Sequence, residues 1–242
     1  MMESLKNKKI VLAANSSKIN KAILECLLNS GAIVLVLGDL TIDLSHDNQI
    51  QLACDLSDVS NMEAVLIPQL SQHKPYDGFV FAAGKGGVRP LGLTKPDFVH
   101  DMMRTNLYNF IELARLLCKK DMLNLGSSIV ALSSVSSTMG LKSKIAYSAS
   151  KAALDGAVRS MSVELASKKI RVNSIQKGWV NSDMNLDFIE NNRAISTIDD
   201  FNKQILGGIE PEEIAGAVQF LLSNVSKSIT GTALVLDGGY TV

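Results

Sequence analysis

Tyr147 and Lys151 are the two residues whose types and spacing most directly suggest chemistry. They lie four residues apart in an alanine-rich stretch of helical character, so their side chains should share one helix face about one turn apart. A nearby ammonium group stabilises a tyrosinate and lowers the pKa of the phenol, which is about 10 in model peptides. Tyr147 is therefore a candidate proton donor or acceptor near neutral pH.

Ser134 is a third candidate, because it follows the apolar run 128–132, which predicts a buried strand. A hydroxyl at the end of that strand can arrive beside Tyr147 and Lys151, and the three side chains together would hold a carbonyl oxygen. A tyrosine and a lysine at this spacing also occur by chance. The pair therefore indicates a catalytic site only if the sequence around it also does.

The elements that would position these residues alternate regularly along the chain. Short apolar runs predict strands, and segments with helical apolar spacing lie between them. This alternation predicts a Rossmann-like α/β fold, with about seven parallel strands in one doubly wound sheet and helices on both faces. The predicted strands are 9–14, 33–37, 49–54, 76–83, 128–132, 170–175 and 233–237, and the predicted helices are 19–28, 59–70, 98–121 and one that carries Tyr147 and ends near 167.

The whole chain, residues 1–242, reads as a single nucleotide-binding domain without repeats or linkers. Residues 181–208 are polar, Asn-rich and longer than a usual α/β connection, which favours a substrate lid within that domain. A partly apolar substrate pocket is suggested by Met139, Trp179, Met184, Leu186 and Phe188.

Charge and hydropathy exclude several classes of partner. Lysine and arginine number 24, as do aspartate and glutamate, so the formal net charge is zero and we expect no nucleic-acid partner. No apolar run approaches the roughly 18 residues of a membrane span. Residues 1–10 lack the apolar region and cleavage site of a signal peptide. We therefore expect a cytoplasmic protein without a membrane partner.

The cysteines and histidines show no spacing typical of a metal site. The cysteines are few, far apart and set in apolar surroundings, so we expect buried packing residues rather than disulfides. A metal-dependent mechanism is disfavoured. The residues concerned are Cys26, Cys54 and Cys118 together with His46, His73 and His100.

The sequence around Tyr147 and Lys151 resembles the catalytic half of the short-chain dehydrogenase/reductase family, of the type of the 3-oxoacyl-carrier-protein reductases. The resemblance extends over essentially the whole chain and rests on Ser133, Ser134, Gly140 and the segments 149–154 and 171–178. It implies a carbonyl or alcohol substrate of small size, a nicotinamide cofactor, and a homo-oligomer, either a dimer or a tetramer.

The resemblance also implies a role for each catalytic residue. Ser134 would orient the carbonyl and Tyr147 would exchange the proton. Lys151 would lower the pKa of the tyrosine and hydrogen-bond the nicotinamide ribose. Asn106, on the long predicted helix, would hold a water that connects the lysine to solvent.

Cofactor contacts carried over from the family lie at the ends of several strands. Asp55 would contact the adenine; the alternative is an aspartate that caps the next helix. Lys177 stands where the family has the proline of the nicotinamide-contacting segment. The implied contacts are Ser16, Ser17, Lys18, Ile19, Asp39, Asp55, Leu56, Ala82, Ala83, Gly84, Tyr147, Lys151, Gly178, Val180 and Ser182.

The first loop departs from the family pattern, because Ala14, Lys18 and Asn20 stand where glycines are expected. Glycines there allow the backbone to approach the pyrophosphate, so we expect crowding and weaker cofactor binding. Lys18 either offers its ammonium to a phosphate or is simply solvated. The segment 81–84 likewise lacks the family's asparagines, whose amides brace the sheet.

Alternatives stay open for both the cofactor type and the reaction. Asp39, after the second strand, favours NAD(H), whereas Lys18 would suit NADP(H). One rival function is a catalytically weak relative that acts as a binding or partner subunit. Another is enoyl reduction or dehydration, but the family's enoyl reductases use a longer tyrosine–lysine spacing, so the spacing here favours carbonyl chemistry.

Overall fold

The computed structural model describes residues 4–38, 46–56, 59, 61–119, 121–181 and 203–242. Within these residues, seven strands form one sheet in the order β3-β2-β1-β4-β5-β6-β7, and every neighbouring pair is parallel. The predicted doubly wound α/β fold is therefore confirmed. The strands are β1 Lys9–Ala14, β2 Ile33–Gly38, β3 Gln49–Ala53, β4 Tyr76–Phe81, β5 Leu123–Ser134, β6 Arg171–Lys177 and β7 Ala233–Leu236.

Helices cover both faces of the sheet. They are α1 Lys18–Asn29, α2 Met62–Leu70, α3 Pro96–Met103, α4 Asn109–Leu117, α5 Ile145–Glu164 and α6 Pro211–Leu222. The long helix predicted at 98–121 is the pair α3 and α4, joined without a break by a π-helical turn, Arg104–Tyr108. It ends earlier than expected, and Asp121 adopts a left-handed backbone conformation beyond it.

Helix α6 has no counterpart in the sequence prediction, although its start carries clear local signals. Pro211 occupies the first turn, where its missing N–H costs nothing. Glu210 and Glu213 form a reciprocal capping box around the same turn. The helix packs beside α1 on one face of the sheet.

Alternating side chains of the strands divide the core into two layers. Leu12 and Val80 face α1 and α6, whereas Val11 and Phe79 face α2, α4 and α5. Successive strand residues point to opposite faces, so each buried strand needs apolar residues at nearly every position. Phe110 of α4 packs against the ring of Phe79 at 6.4 Å between centroids.

The three cysteines are partly buried, not fully buried as expected, and none forms a disulfide. Within the described part of the chain, no group of three or more His, Cys, Asp or Glu side chains is arranged to hold a metal ion. No helix there is both long enough and apolar enough to cross a membrane.

Most of the predicted lid, residues 182–202, lies outside the described residues. The two ends that are described are anchored to the domain. Asn181 donates its backbone N–H to the carbonyl of Ile209 at 2.8 Å. Gln204 is buried, and its amide donates to the carbonyls of Trp179 at 3.1 Å and Gly207 at 2.7 Å. The lid itself stays a prediction.

Candidate active site

Ser134 is the last residue of β5, and its hydroxyl is held by the turn that follows. The backbone is extended, and the Ser134 oxygen accepts a hydrogen bond from the backbone N–H of Ser136 at 3.2 Å. Its own proton is directed to the Ser136 hydroxyl at 3.1 Å. The side chain is therefore buried and fixed at the carboxyl end of the sheet.

Tyr147 and Lys151 both lie on the buried face of α5. The Lys151 ammonium donates to the backbone carbonyl of Leu132 in β5 at 2.8 Å. It lies 5.9 Å from the centre of the Tyr147 ring. The structure thus brings the serine, the tyrosine and the lysine to one place, where β5 meets α5.

The pKa of Tyr147 differs from the sequence expectation. Burial of the phenol raises its pKa above the ordinary value, and a hydrogen bond with Ser134 lowers it in part. Lys151 was expected to lower this pKa, but its ammonium is turned to the Leu132 carbonyl and burial outweighs any such effect. The phenol is consequently protonated at neutral pH.

The pKa of Lys151 is itself shifted, from 10.5 to about 7. Burial is the main cause, because it disfavours the charged ammonium. The positive charge of Lys177 lowers the pKa further, and the carboxylate of Asp155 opposes both effects. Asp155 is buried and accepts hydrogen bonds from Ser174 at 2.7 Å and from Gln176 at 2.8 Å.

Asn106 lies in the π-helical turn and is fully buried. Its side-chain oxygen accepts from the backbone N–H of Lys85 at 2.8 Å. Its amide nitrogen donates to the Lys85 carbonyl at 3.0 Å and to the Ser150 hydroxyl at 2.9 Å. The side chain therefore joins the loop after β4 to α5, a positioning role that the sequence did not indicate.

Gly84 connects the catalytic and cofactor regions. A Cβ atom at this position would lie 2.8 Å from the Lys151 ammonium and 2.9 Å from the Asn106 side-chain oxygen. Contacts this short do not occur between real Cβ atoms and their neighbours. A Cβ at this position would therefore displace the Lys151 ammonium or the Asn106 side chain, and glycine leaves both catalytic candidates in place.

A cavity of about 360 Å³ opens where the carboxyl ends of β1, β2, β3 and β4 meet. The strand order changes direction between β1 and β4, and such a switch point is where nucleotides bind in open α/β sheets. Of the predicted cofactor contacts, Asp55, Leu56 and Ala83 line this cavity. Its other lining residues are Ala14, Asn15, Gly38, Cys54, Lys85, Thr105 and Asn109.

Gly38 is a cavity residue that the sequence analysis did not select. Its φ of +117° belongs to a region that favours glycine, and a Cβ there would overlap the carbonyl oxygen of Ala14. A glycine that closes a buried strand is the signal that identifies it. The open space beside Gly38 and the mixed polar lining fit the adenosine part of a dinucleotide. Asp39 lies outside the described residues.

Asn20, one of the three residues that stand where glycines are expected, turns its side chain into the protein. Its side chain is buried and turned away from solvent. The amide nitrogen donates to the carbonyl of Asn15 at 2.9 Å and to that of Ala82 at 3.2 Å. Asn20 therefore supports the end of β4, next to the segment where the family's asparagines are missing.

The remaining predicted contacts in the first loop lie at the start of α1. The Ser17 hydroxyl caps the helix by accepting from the backbone N–H of Asn20 at 3.1 Å. Ser16 and Lys18 are exposed, whereas the side chain of Ile19 is buried in the core. No acidic residue lies in the first turn, so this helix end suits a phosphate.

The segment after β6 is firmly held. Gly178 packs against the backbone of Asp237, and Val180 is buried and pairs with Ile209. The backbone N–H of Trp179 donates to the side-chain oxygen of Gln204. Ser182 lies outside the described residues. Gln204 was not selected from the sequence, because no local pattern links it to Trp179.

The comparisons with known proteins agree with this geometry. The family described as "Enoyl-(Acyl carrier protein) reductase" matches residues 13–241. The 3-oxoacyl-[acyl-carrier-protein] reductase of Vibrio harveyi is 32% identical over 240 residues, which cover 96% of each chain. Carbonyl reductase family member 4 of Danio rerio is 35% identical, covering 81% of this chain and 79% of the relative.

The solved structures show the same fold. The short-chain dehydrogenase/reductase "Glucose/ribitol dehydrogenase" of Brucella melitensis superposes with a TM-score of 0.88 at 24% identity, covering 100% of both chains. The fold, the sequence similarity over nearly the full length and the residues gathered at the ends of β4 and β5 lead to one assignment. The chain belongs to the short-chain dehydrogenase/reductase family of NAD(P)-dependent oxidoreductases.

Proposed function

We propose that the protein interconverts a carbonyl and a secondary alcohol by hydride transfer with a nicotinamide cofactor. The observation that carries this proposal is the meeting of Ser134, Tyr147 and Lys151 in one buried site. A hydroxyl fixed on the sheet and a phenol on the facing helix can together grip one carbonyl oxygen. Relatives named as a 3-oxoacyl reductase and a carbonyl reductase support the same chemistry.

Each residue has a distinct task in the proposed reaction. When bound, the nicotinamide supplies or accepts the hydride. Ser134 donates a hydrogen bond that orients the carbonyl oxygen. In the direction of reduction, Tyr147 then gives its proton to the oxygen as negative charge develops there. Lys151, whose pKa is about 7, helps the phenol to release that proton when it is itself protonated. Because burial raises the pKa of Tyr147, the phenol begins in the protonated form that reduction needs.

The cofactor is proposed to lie across the carboxyl ends of the strands. The adenosine would enter the cavity beside Asp55 and Leu56, and the pyrophosphate would approach the start of α1 at Ser16, Ser17, Lys18 and Ile19. The nicotinamide would lie near Ala82, Ala83, Gly84, Gly178 and Val180. NAD(H) is proposed over NADP(H), on the acidic residue that follows β2 in the sequence.

A titration with NAD⁺, NADH, NADP⁺ and NADPH tests the proposal. Trp179 is the single tryptophan of the chain and lies in the segment that would contact the nicotinamide, so its fluorescence should report binding. We expect saturable binding of NADH that is tighter than that of NADPH. Oxidation of NADH should then require an added ketone or 3-oxoacyl thioester. If none of the four cofactors binds, the chain is a binding or partner subunit of the same fold.

Enoyl reduction is the second candidate, and the description of the matching family favours it. The four-residue spacing of Tyr147 and Lys151 favours carbonyl chemistry instead. The two are separated by offering the same acyl chain as a 3-oxoacyl and as a 2-enoyl thioester. We expect NADH oxidation with the 3-oxoacyl compound alone.

We further propose that the protein is a homo-oligomer, a dimer or a tetramer. Support comes from exposed apolar side chains on neighbouring elements, Tyr108 and Ile111 at the start of α4 and Val163 on α5. Light scattering coupled to size-exclusion chromatography should give a mass of two or four times 26.0 kDa. Ile111→Asp should shift the mass towards the monomer.

A further inference from the structure

Two lysines outside the catalytic group lie next to it. Lys177 is the last residue of β6 and pairs in register with Ser134 of β5. Lys144 is the residue immediately before α5 and lies three positions before Tyr147. Its ammonium lies 4.4 Å from the centre of the Trp179 ring. Lys177 therefore ends the strand beside the one that presents the serine, and Lys144 directly precedes the helix that presents the tyrosine.

The charges of these lysines interact. Burial lowers the pKa of Lys177 to about 8, and the positive charge of Lys144 contributes to the same shift. The charge of Lys177 in turn lowers the pKa of Lys151. Among the described residues, no carboxylate forms an ion pair with Lys177. The nearby carboxylate of Asp155 is engaged by Ser174 and Gln176.

Trp179 gives Lys144 a rigid support. The indole is buried in a small cluster with Val135 and Tyr240, and Gln204 holds the backbone at the same residue. An ammonium over an indole face is attracted to the ring and is thereby kept on one side of it. The Lys144 ammonium thus lies against a fixed indole ring. That ring packs with Val135, the residue that follows Ser134.

We propose that Lys144 and Lys177 form a subsite for an anionic group, a carboxylate or a phosphate, carried by the carbonyl substrate. The proposal rests on the proposed function, because it concerns the substrate of that same site. Partial burial of the Lys177 ammonium without a paired carboxylate carries one cost, and the nearby positive charge of Lys144 adds a second. An anion bound between the two lysines removes both costs and gains charge-assisted hydrogen bonds.

The position of the subsite separates it from the cofactor phosphates. The start of α1, which suits a pyrophosphate, follows β1, whereas Lys177 ends β6 on the far side of β4 and β5. Lys144 precedes the helix that carries the proton donor. An anion held there lies on the substrate side of Ser134 and Tyr147.

Two matched pairs of small ketones test the subsite. Methyl pyruvate and pyruvate differ by a carboxylate charge, and dihydroxyacetone and dihydroxyacetone phosphate differ by a phosphate. Binding of each is measured by Trp179 fluorescence, and turnover by NADH oxidation. We expect the charged member of at least one pair to bind about tenfold or more tightly than its neutral partner, and this preference to fall as salt is added. The pair that shows it identifies the anion.

Lys177→Met and Lys144→Met should each reduce the ratio of charged to neutral binding by about tenfold or more. Lys227→Met removes an exposed charge in the turn after α6 and should leave the ratio unchanged. Turnover of neutral ketones without preference for either anion overturns the subsite and leaves the proposed function standing. Anion binding that depends on Lys177, with no ketone reduced, supports the subsite and contradicts the proposed function. Equal binding within both pairs overturns the subsite whatever the turnover.

Discussion

Gly84 and Lys151 are in such close contact that a methyl group on the glycine would lie 2.8 Å from the ammonium. The same methyl group would press on Asn106, whose amide joins the loop after β4 to α5. Gly84 thus sets the position of the lysine relative to the cofactor cavity. The loop that carries it therefore belongs to the proposed active site, although it contributes no reacting side chain.

Gly84→Ala should therefore displace Lys151 and lower kcat/KM by about 10²-fold, the cost of roughly 1 Å of misplacement at a reacting centre. Gly86→Ala is the matched control, because no described atom lies within 4 Å of its added Cβ. Steady-state kinetics on the two variants decides. Equal activity of both variants would show that the loop yields without moving the lysine.

Tyr147→Phe should lower kcat by about 10²–10⁴-fold, because it removes only the hydroxyl that exchanges the proton. Tyr108→Phe removes an exposed hydroxyl from the π-helical turn and is the control. Cofactor affinity should be similar in both variants, which separates the chemical step from binding. Turnover of Tyr147→Phe within about tenfold of the wild type would exclude this tyrosine as the proton donor.

The shifted pKa of Lys151 predicts how stability depends on pH. The pKa falls from 10.5 to about 7 on folding, so between these values the unfolded chain binds a proton that the folded chain does not. This residue therefore makes the protein more stable as pH rises from about 7 towards 10.5, and the gain is lost again as pH falls back to about 7.

Urea unfolding at about pH 7 and about pH 9 measures this dependence. Lys151→Met should lose stability at both pH values, because the Leu132 carbonyl loses its partner, but the rise with pH should be smaller than in the wild type. Lys142→Met, which removes an exposed charge in the loop before α5, should keep the wild-type rise. An identical rise in the wild type and Lys151→Met would contradict the shift.

Asn20→Ala should destabilise the fold by about 1–3 kcal/mol, since buried carbonyls at Asn15 and Ala82 lose their donor. Asn29→Ala, at the exposed end of the same helix, should cost much less. Cofactor affinity should also fall in Asn20→Ala, because the loop after β4 would no longer be braced. Unchanged stability would mean that water replaces the amide.

Lys18→Ala should weaken cofactor binding about tenfold, or about 1.4 kcal/mol, if the lysine reaches a phosphate. Its affinity should also depend less on salt. Lys18→Gly would give the backbone more room and should bind better than Lys18→Ala. Calorimetry on both variants measures the cofactor affinity. Wild-type affinity in both would show that the Lys18 side chain does not contact the cofactor.

The strands and their arrangement were predictable because every strand of a parallel sheet that is covered on both faces has to be apolar along its length. Runs such as 9–14 and 33–37 are apolar throughout, and the helices between them fix a parallel order. Helix α6 could also have been predicted, since Pro211 and the two glutamates around it are local signals of a helix start. Apolar runs alone do not reveal this helix, because its start is marked by capping residues.

The directions of individual side chains were not predictable, because distant residues set them. Asn20 turns inward to reach Ala82, and the Lys151 ammonium bonds the Leu132 carbonyl. The raised pKa of Tyr147 follows from burial, which a linear pattern does not reveal. In each case the chemistry of the residue was apparent from its type, but the environment that modifies it comes from the fold.

The hydrogen bond between Asn106 and Ser150 joins residues 44 positions apart. The hydrogen bonds between Asn106 and Lys85 join residues 21 positions apart. Closing such loops has an entropic cost that the hydrogen bonds must offset. The site therefore depends on the loop after β4, the π-helical turn and α5 being in place together. A chain in which only β1 to β4 had formed would lack β5 and α5, which carry Ser134, Tyr147 and Lys151, so under the proposed function it would have no activity.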